Sequence, residues 1–201
     1  IYKQADKVNV RFALAFPDVY EVGMSYLGFK ILYQVLNARP DIWAERVYTP
    51  WVDMQALMRE NDIALSCLES KLCLADFDFV GFTLQYEMSY TNILNMLDLG
   101  RIPFAAAERD DTYPLIVGGG PCVYNCEPLA DFFDLFIIGE GEEVILELCD
   151  KYKAWKLGGK VGGKREFLRQ AAGIAGIYVP ALYEVQYGEN GLVRAVVPTD
   201  I

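Results

Sequence analysis

Residues 135–143 read Leu135-Phe-Ile-Ile-Gly-Glu-Gly-Glu-Glu143. Four apolar residues in a row suit a strand buried on both faces. Gly139 and Gly141 interrupt the run, and Glu140, Glu142 and Glu143 crowd the start of a helix, where negative side chains complement the positive end of the dipole. Lys151, Lys153 and Lys156 gather towards the end of that helix, and Gly158-Gly159 stops it. A buried strand feeding an amphipathic helix is the repeating unit of a parallel sheet covered on both sides.

Working outward, the unit recurs. Val10-Arg-Phe-Ala-Leu-Ala-Phe16 is an apolar strand ended by Pro17; after a loop through Gly23, the residues Met24, Leu27, Ile31, Val35 and Leu36 follow helical spacing up to Pro40. Val47-Tyr48 is a weak strand. Thr49 reads as an N-cap and Pro50 as first-turn proline, with Trp51, Met54, Leu57 and Met58 marking one helix face. Phe79-Val-Gly-Phe-Thr-Leu84 is a third strand, followed by a helix over roughly 89–99, with an extra strand or turn before it around 64–75. Leu115-Ile-Val117 is a fourth, ended by Gly118-Gly119-Gly120. The fold class is therefore α/β, a doubly wound, flavodoxin-like or Rossmann-like domain with a mostly parallel five-stranded sheet over residues 1–157.

The pattern changes at residue 158. Gly158 to Lys164 reads as a flexible link, Arg165 to Ala172 as a short helix, and Tyr183-Glu-Val-Gln-Tyr187 and Val193-Arg-Ala-Val-Val197 as a hairpin around Gly188-Glu-Asn-Gly191. Residues 158–201 form a linker, helix and β-hairpin appendage. A two-stranded hairpin is marginal alone, so it should pack on the main domain or lead into a neighbouring one.

Composition narrows the chemistry. Among 201 residues there is no histidine, which removes Ser-His-Asp and Cys-His nucleophiles, histidine-based zinc sites and imidazole proton transfer. A net charge of -10 argues against nucleic acid or an anionic membrane surface as partner. No apolar run approaches the ~20 residues needed to span a bilayer. Five cysteines, an odd number in a chain with no signal peptide, read as reduced cytoplasmic thiols. Cys122 and Cys126 begin like an iron-sulfur loop, but Leu129 stands where a third thiolate would be needed, so they read as buried apolar residues. The first residue is Ile1 and the last Ile201, and both ends read as cut from something longer.

In an open parallel sheet, ligands bind beyond the carboxyl ends of the strands. That rule selects the loops 17–23, 83–87, 118–122 and 139–142. Gly118 to Gly120 let a ligand approach the backbone, or merely permit a tight turn. Glu140 and Glu142 suit ligand hydroxyls or amides, or equally the first helical turn. Asp18 beside Pro17 is also a turn former. Neither glycine run is a dinucleotide fingerprint and no P-loop is present.

The order Asp18-Val-Tyr-Glu-Val-Gly23, Val80-Gly-Phe-Thr-Leu-Gln85, Ile116-Val-Gly-Gly-Gly-Pro121 and Asp134-Leu-Phe-Ile-Ile-Gly-Glu-Gly-Glu-Glu143 resembles the N-terminal cobalamin-binding-like domain of radical S-adenosylmethionine proteins. The last two segments are the most specific. The resemblance runs from about Val10 to about Trp155 and implies cobalamin as cofactor, with the radical S-adenosylmethionine barrel of the same parent chain as partner. It places the 4Fe-4S cluster and S-adenosylmethionine in a part of the parent beyond residue 201, and leaves this segment without catalysis of its own.

The implied site residues are Asp18, Tyr20, Gly23, Thr83, Gln85, Gly118, Gly119, Gly120 and Glu140. Where related domains carry D-x-H-x-x-G, with histidine on cobalt, this chain has Asp18-x-Tyr20-x-x-Gly23. A phenol, with a pKa near 10, is a poor substitute for neutral imidazole. Two readings follow: cobalamin bound without a histidine ligand, or a structural module that kept the fold, lost the ligand and shapes a substrate pocket. A free-standing flavodoxin-like hydrolase or oxidoreductase is a third. Oligomeric state is open.

Overall fold

A computed structural model of the chain describes residues 1–199. Its elements run β1 (Val10–Phe16), α1 (Tyr20–Gly23), α2 (Leu27–Ala38), β2 (Ile42–Tyr48), α3 (Val52–Glu60), β3 (Phe79–Thr83), α4 (Tyr90–Leu99), β4 (Leu115–Gly119), β5 (Leu135–Ile137), α5 (Gly141–Leu157), α6 (Gly163–Ala171), β6 (Ile177–Tyr178), β7 (Tyr183–Tyr187) and β8 (Val193–Pro198). The sheet order is β2-β1-β3-β4-β5-β6, with the first five strands parallel and β6 antiparallel to β5. This is the doubly wound α/β arrangement that the alternation of strands and helices implies.

The sheet has one strand more than the five expected. Two residues carry too little pattern to announce β6; its place is set by pairing, with Ile138 N donating to Gly176 O at 2.7 Å and Phe136 registered against Tyr178. β2 is also longer than Val47-Tyr48, because Ile42 to Arg46 pair along the whole of β1 despite the charged pair Glu45-Arg46. Glu45 stays buried there by accepting from the Ser70 backbone and hydroxyl, both at 2.9 Å. The segment expected as an extra strand or turn is a loop closed by one antiparallel bridge, Ser66 to Cys73.

Alternation along the strands builds a core on each face. Phe12, Leu14, Phe79, Val117 and Leu135 pack under α2, α5 and α6, while Ala13, Val80, Phe82, Ile116 and Phe136 pack under α3 and α4. α6 belongs to the first of these layers: Phe167 lies 5.2 Å from the Tyr152 ring and 5.3 Å from that of Trp155. Asp134 ties the layers at the start of β5. Its buried carboxylate accepts from Ile116 N (2.7 Å), Arg109 Nη2 (3.1 Å) and Lys164 Nζ (2.6 Å).

Two further expectations are corrected. Thr49 caps no helix: its amide donates to Phe16 O and Asp18 O, which holds residue 49 to the end of β1, and α3 begins only at Val52 after Trp51. Only Met58 of the expected α3 packing face is buried, whereas Trp51, Met54 and Leu57 are exposed by 65, 52 and 53%. The hairpin of β7 and β8 forms a separate sheet, and its link, Gly188 to Leu192, is one residue longer than expected. Residues 200 and 201, the end of the appendage, lie outside the described residues.

Candidate functional site

The C-terminal ends of β1, β3, β4 and β5 and the first turns of α2 and α5 enclose a cavity of about 170 Å3. Strand alternation decides its lining. On the face towards α2 and α5, β1 presents Phe12 and Leu14, β3 presents Gly81 and Thr83, β4 presents Val117 and Gly119, and β5 presents Ile137. The helices add Phe29, Leu32 and Ile145. The walls are apolar, the polar groups Thr83, Gln85, Glu140 and Glu142 stand among them, and no basic side chain among the described residues lines the space.

The three consecutive glycines do three different things. A Cβ on Gly118 would sit 2.4 Å from the Phe136 ring, on the opposite face of the sheet, where Phe136 stacks on Phe133. A Cβ on Gly119 would meet nothing within 4 Å, so this position opens the cavity. Gly120 turns the chain at φ +102°, close against the backbone of Leu84, a conformation that favours glycine. Gly139 has the same left-handed character, at φ +103°, and delivers Glu140 to the start of α5. Glu140 is exposed and makes no capping bond to the helix.

Thr83, Gln85, Gly118, Gly119, Gly120 and Glu140 therefore meet at one cavity. Gln85 Nε2 donates to Thr83 Oγ1, so the two polar side chains at this end of β3 are joined. Asp18, Tyr20 and Gly23 do not line it. Asp18 accepts from Val19 N at 2.7 Å and from Tyr86 Oη at 2.6 Å, a bond that raises the Tyr86 pKa. Tyr20 stands edge-on to Tyr48 with ring centroids 5.3 Å apart, beside a separate groove along α3. Gly23 is buried for packing: a Cβ would come within 2.7 Å of the Phe16 and Tyr48 rings.

Burial pushes the thiols of Cys122 and Cys126 above their ordinary pKa, with the nearby Glu87 and Glu127 adding to the effect. Both are absent from the cavity lining. Among the described residues no group of three or more His, Cys, Asp or Glu could hold a metal ion. No helix among them is long and apolar enough to cross a membrane.

Sequence reasoning missed the α2 side of the cavity, where Tyr26, Gly28 and Leu32 face Gly141 and Glu142. The available signal was position, since the helix after the first strand begins at the ligand-binding edge. That α2 and α5, more than 100 residues apart, frame one space is visible only after folding.

The family model described as radical SAM proteins, N-terminal, matches residues 28–180. The uncharacterized protein MJ0966 of Methanocaldococcus jannaschii is 28% identical over a match of 149 residues that covers 72% of this chain and 28% of that protein. The chain thus spans little more than a quarter of the curated relative it matches. Two solved structures of the radical S-adenosylmethionine methyltransferase TsrM from Kitasatospora setae are also similar. One holds tryptophan substrate and the analogue aza-SAM; it is 16% identical, at a TM-score of 0.47, over 90% of this chain and 29% of that one. The other holds cobalamin and a 4Fe-4S cluster; it is 15% identical, also at 0.47, over 94% and 30%.

Proposed function

Because this chain belongs to the family of radical SAM protein N-terminal domains, we propose that it is the module that holds cobalamin for a radical SAM enzyme, without a histidine on the cobalt. The observation that carries this reading is the apolar cavity at the C-terminal edge of the sheet, opened by the missing side chain of Gly119.

Its size limits what enters. Pockets that enclose a drug-sized ligand run to about 300–1,000 Å3, so a space of about 170 Å3 suits one ring group with the rest of the ligand outside. Cobalamin has that form, an apolar base on a tail and a large corrin ring edged with amides. The residues present fit it. Phe29, Val117 and Ile145 would contact the base, Thr83 and Gln85 would exchange their mutual bond for bonds to the tail, and Glu140 and Glu142 would accept from corrin amides. Tyr20 packs on Tyr48 and supplies no base to the metal. When bound, cobalamin supplies a redox-active cobalt able to carry a methyl group. The chain's own part is to exclude water from the tail base and fix its orientation.

A second reading, a module that keeps the fold to shape the substrate pocket of the parent chain, is favoured by the Thr83–Gln85 bond, which engages the two side chains with each other without a ligand. Titration with hydroxocobalamin separates the two. Binding predicts a changed visible spectrum and co-elution of corrinoid with protein, both lost in Gly119→Leu, whose side chain would occupy the cavity. No spectral change and no retention by the unsubstituted protein would leave the structural role.

A further inference from the structure

We propose that the groove along α3 is the surface on which the rest of the parent radical SAM polypeptide docks, through an amphipathic helix flanked by lysine or arginine. This rests on the reading of the chain as an N-terminal module of a longer protein, but not on whether cobalamin binds.

α3 connects β2 to the loop before β3 and should close the outer face of the sheet, yet it rests on the core through Met58. Between α3 and residues 63–68 runs a groove of about 780 Å3. Trp51, Met54, Leu57 and Ile63 line it, and each is more than half exposed. A continuous apolar patch of this kind marks an interaction site, since isolated exposed apolar residues do not line up along one groove.

Charge selects the occupant. Glu21 and Asp53 line the groove and no lysine or arginine among the described residues does. A second copy of this acidic chain would bring like charge to that rim, whereas a helix with apolar residues at three- and four-residue spacing and basic residues at its flanks complements it. The relative MJ0966 extends well beyond the part matched here, which covers 28% of it, so a protein of that length has further polypeptide from which such a helix could come.

The test is site-specific photo-crosslinking in the full-length parent protein, with benzoylphenylalanine placed at Met54 and, in a second variant, at Leu57. Both positions are exposed, so neither replacement removes a core contact, and circular dichroism checks that each variant is folded. The expected result is an intramolecular crosslink whose yield does not depend on protein concentration. Its partner peptide should lie C-terminal to this domain and carry apolar residues beside Lys or Arg. Asp53→Lys with Glu21→Lys should lower the yield at least threefold. Crosslinks only between copies, rising with concentration, would overturn the proposal, as would crosslinks only to another protein, or none from either position. Cobalamin titration of the same variants reads the other site independently.

Discussion

At the residue scale, the Gly118-Gly119-Gly120 run shows why glycine identity alone does not define a role. The sequence places three glycines at a strand end, and only strand alternation sends Gly118 against Phe136 and Gly119 into the cavity. Gly118→Ala should therefore cost about 1–3 kcal/mol in a denaturant melt through overpacking, whereas Gly119→Ala should stay within about 0.5 kcal/mol of the parent. Equal costs would contradict the assignment of the two faces. Asp134, quoted at the sequence level as part of a motif, anchors two buried cations and the amide of Ile116. Replacing it by alanine would leave Arg109 and Lys164 buried without their carboxylate, and a loss of about 3–5 kcal/mol is expected. A normal melting curve for Asp134→Ala would show that the network is not needed.

At the scale of elements, strong periodicity was legible and short or sparsely packed pieces were not. The strands at 10–16, 79–83 and 115–119 and the helix 141–157 form where apolar runs and charge bias place them, because each buries a face against the sheet. α3 has the apolar spacing of a packed helix but leaves most of that face in solvent, and β6 exists only by pairing with β5. α6 lies beyond the composition change at residue 158, yet Phe167 fills the space between Tyr152, Trp155 and Phe79. Phe167→Ala should cost about 3–5 kcal/mol and shift one cooperative transition. If instead residues 1–157 melt unchanged while only the tail loosens, the two segments fold separately.

At the scale of the whole molecule, acid should weaken the clamp that joins the C-terminal ends of α2 and α5, away from the cavity at their first turns. Asp41, just after α2, accepts from Arg39 Nε (3.0 Å) and Lys153 Nζ (2.6 Å), and these bonds hold its pKa well below the usual carboxylate range. A carboxylate depressed by folding contributes its stability above the unfolded pKa of about 4 and loses it as pH falls below that value. Urea melts from about pH 6 to pH 2.5 should show stability falling below about pH 4, and falling less in Asp41→Asn. An equal decline in both proteins would assign the acid sensitivity elsewhere.

The sequence by itself determined the layered α/β class, the edge of the sheet where a ligand would sit, and the absence of histidine chemistry, because these follow from periodicity, strand-end glycines and composition. Tertiary structure alone decided that Thr83, Gln85, Gly119 and Glu140 share one cavity while Asp18, Tyr20 and Gly23 stand outside it. The physical reason is that local pattern fixes which face a side chain takes within its own element, whereas a cavity is the space left between elements distant in the chain. Its outline depends on how α2 and α5 pack across the sheet, which neither segment encodes alone.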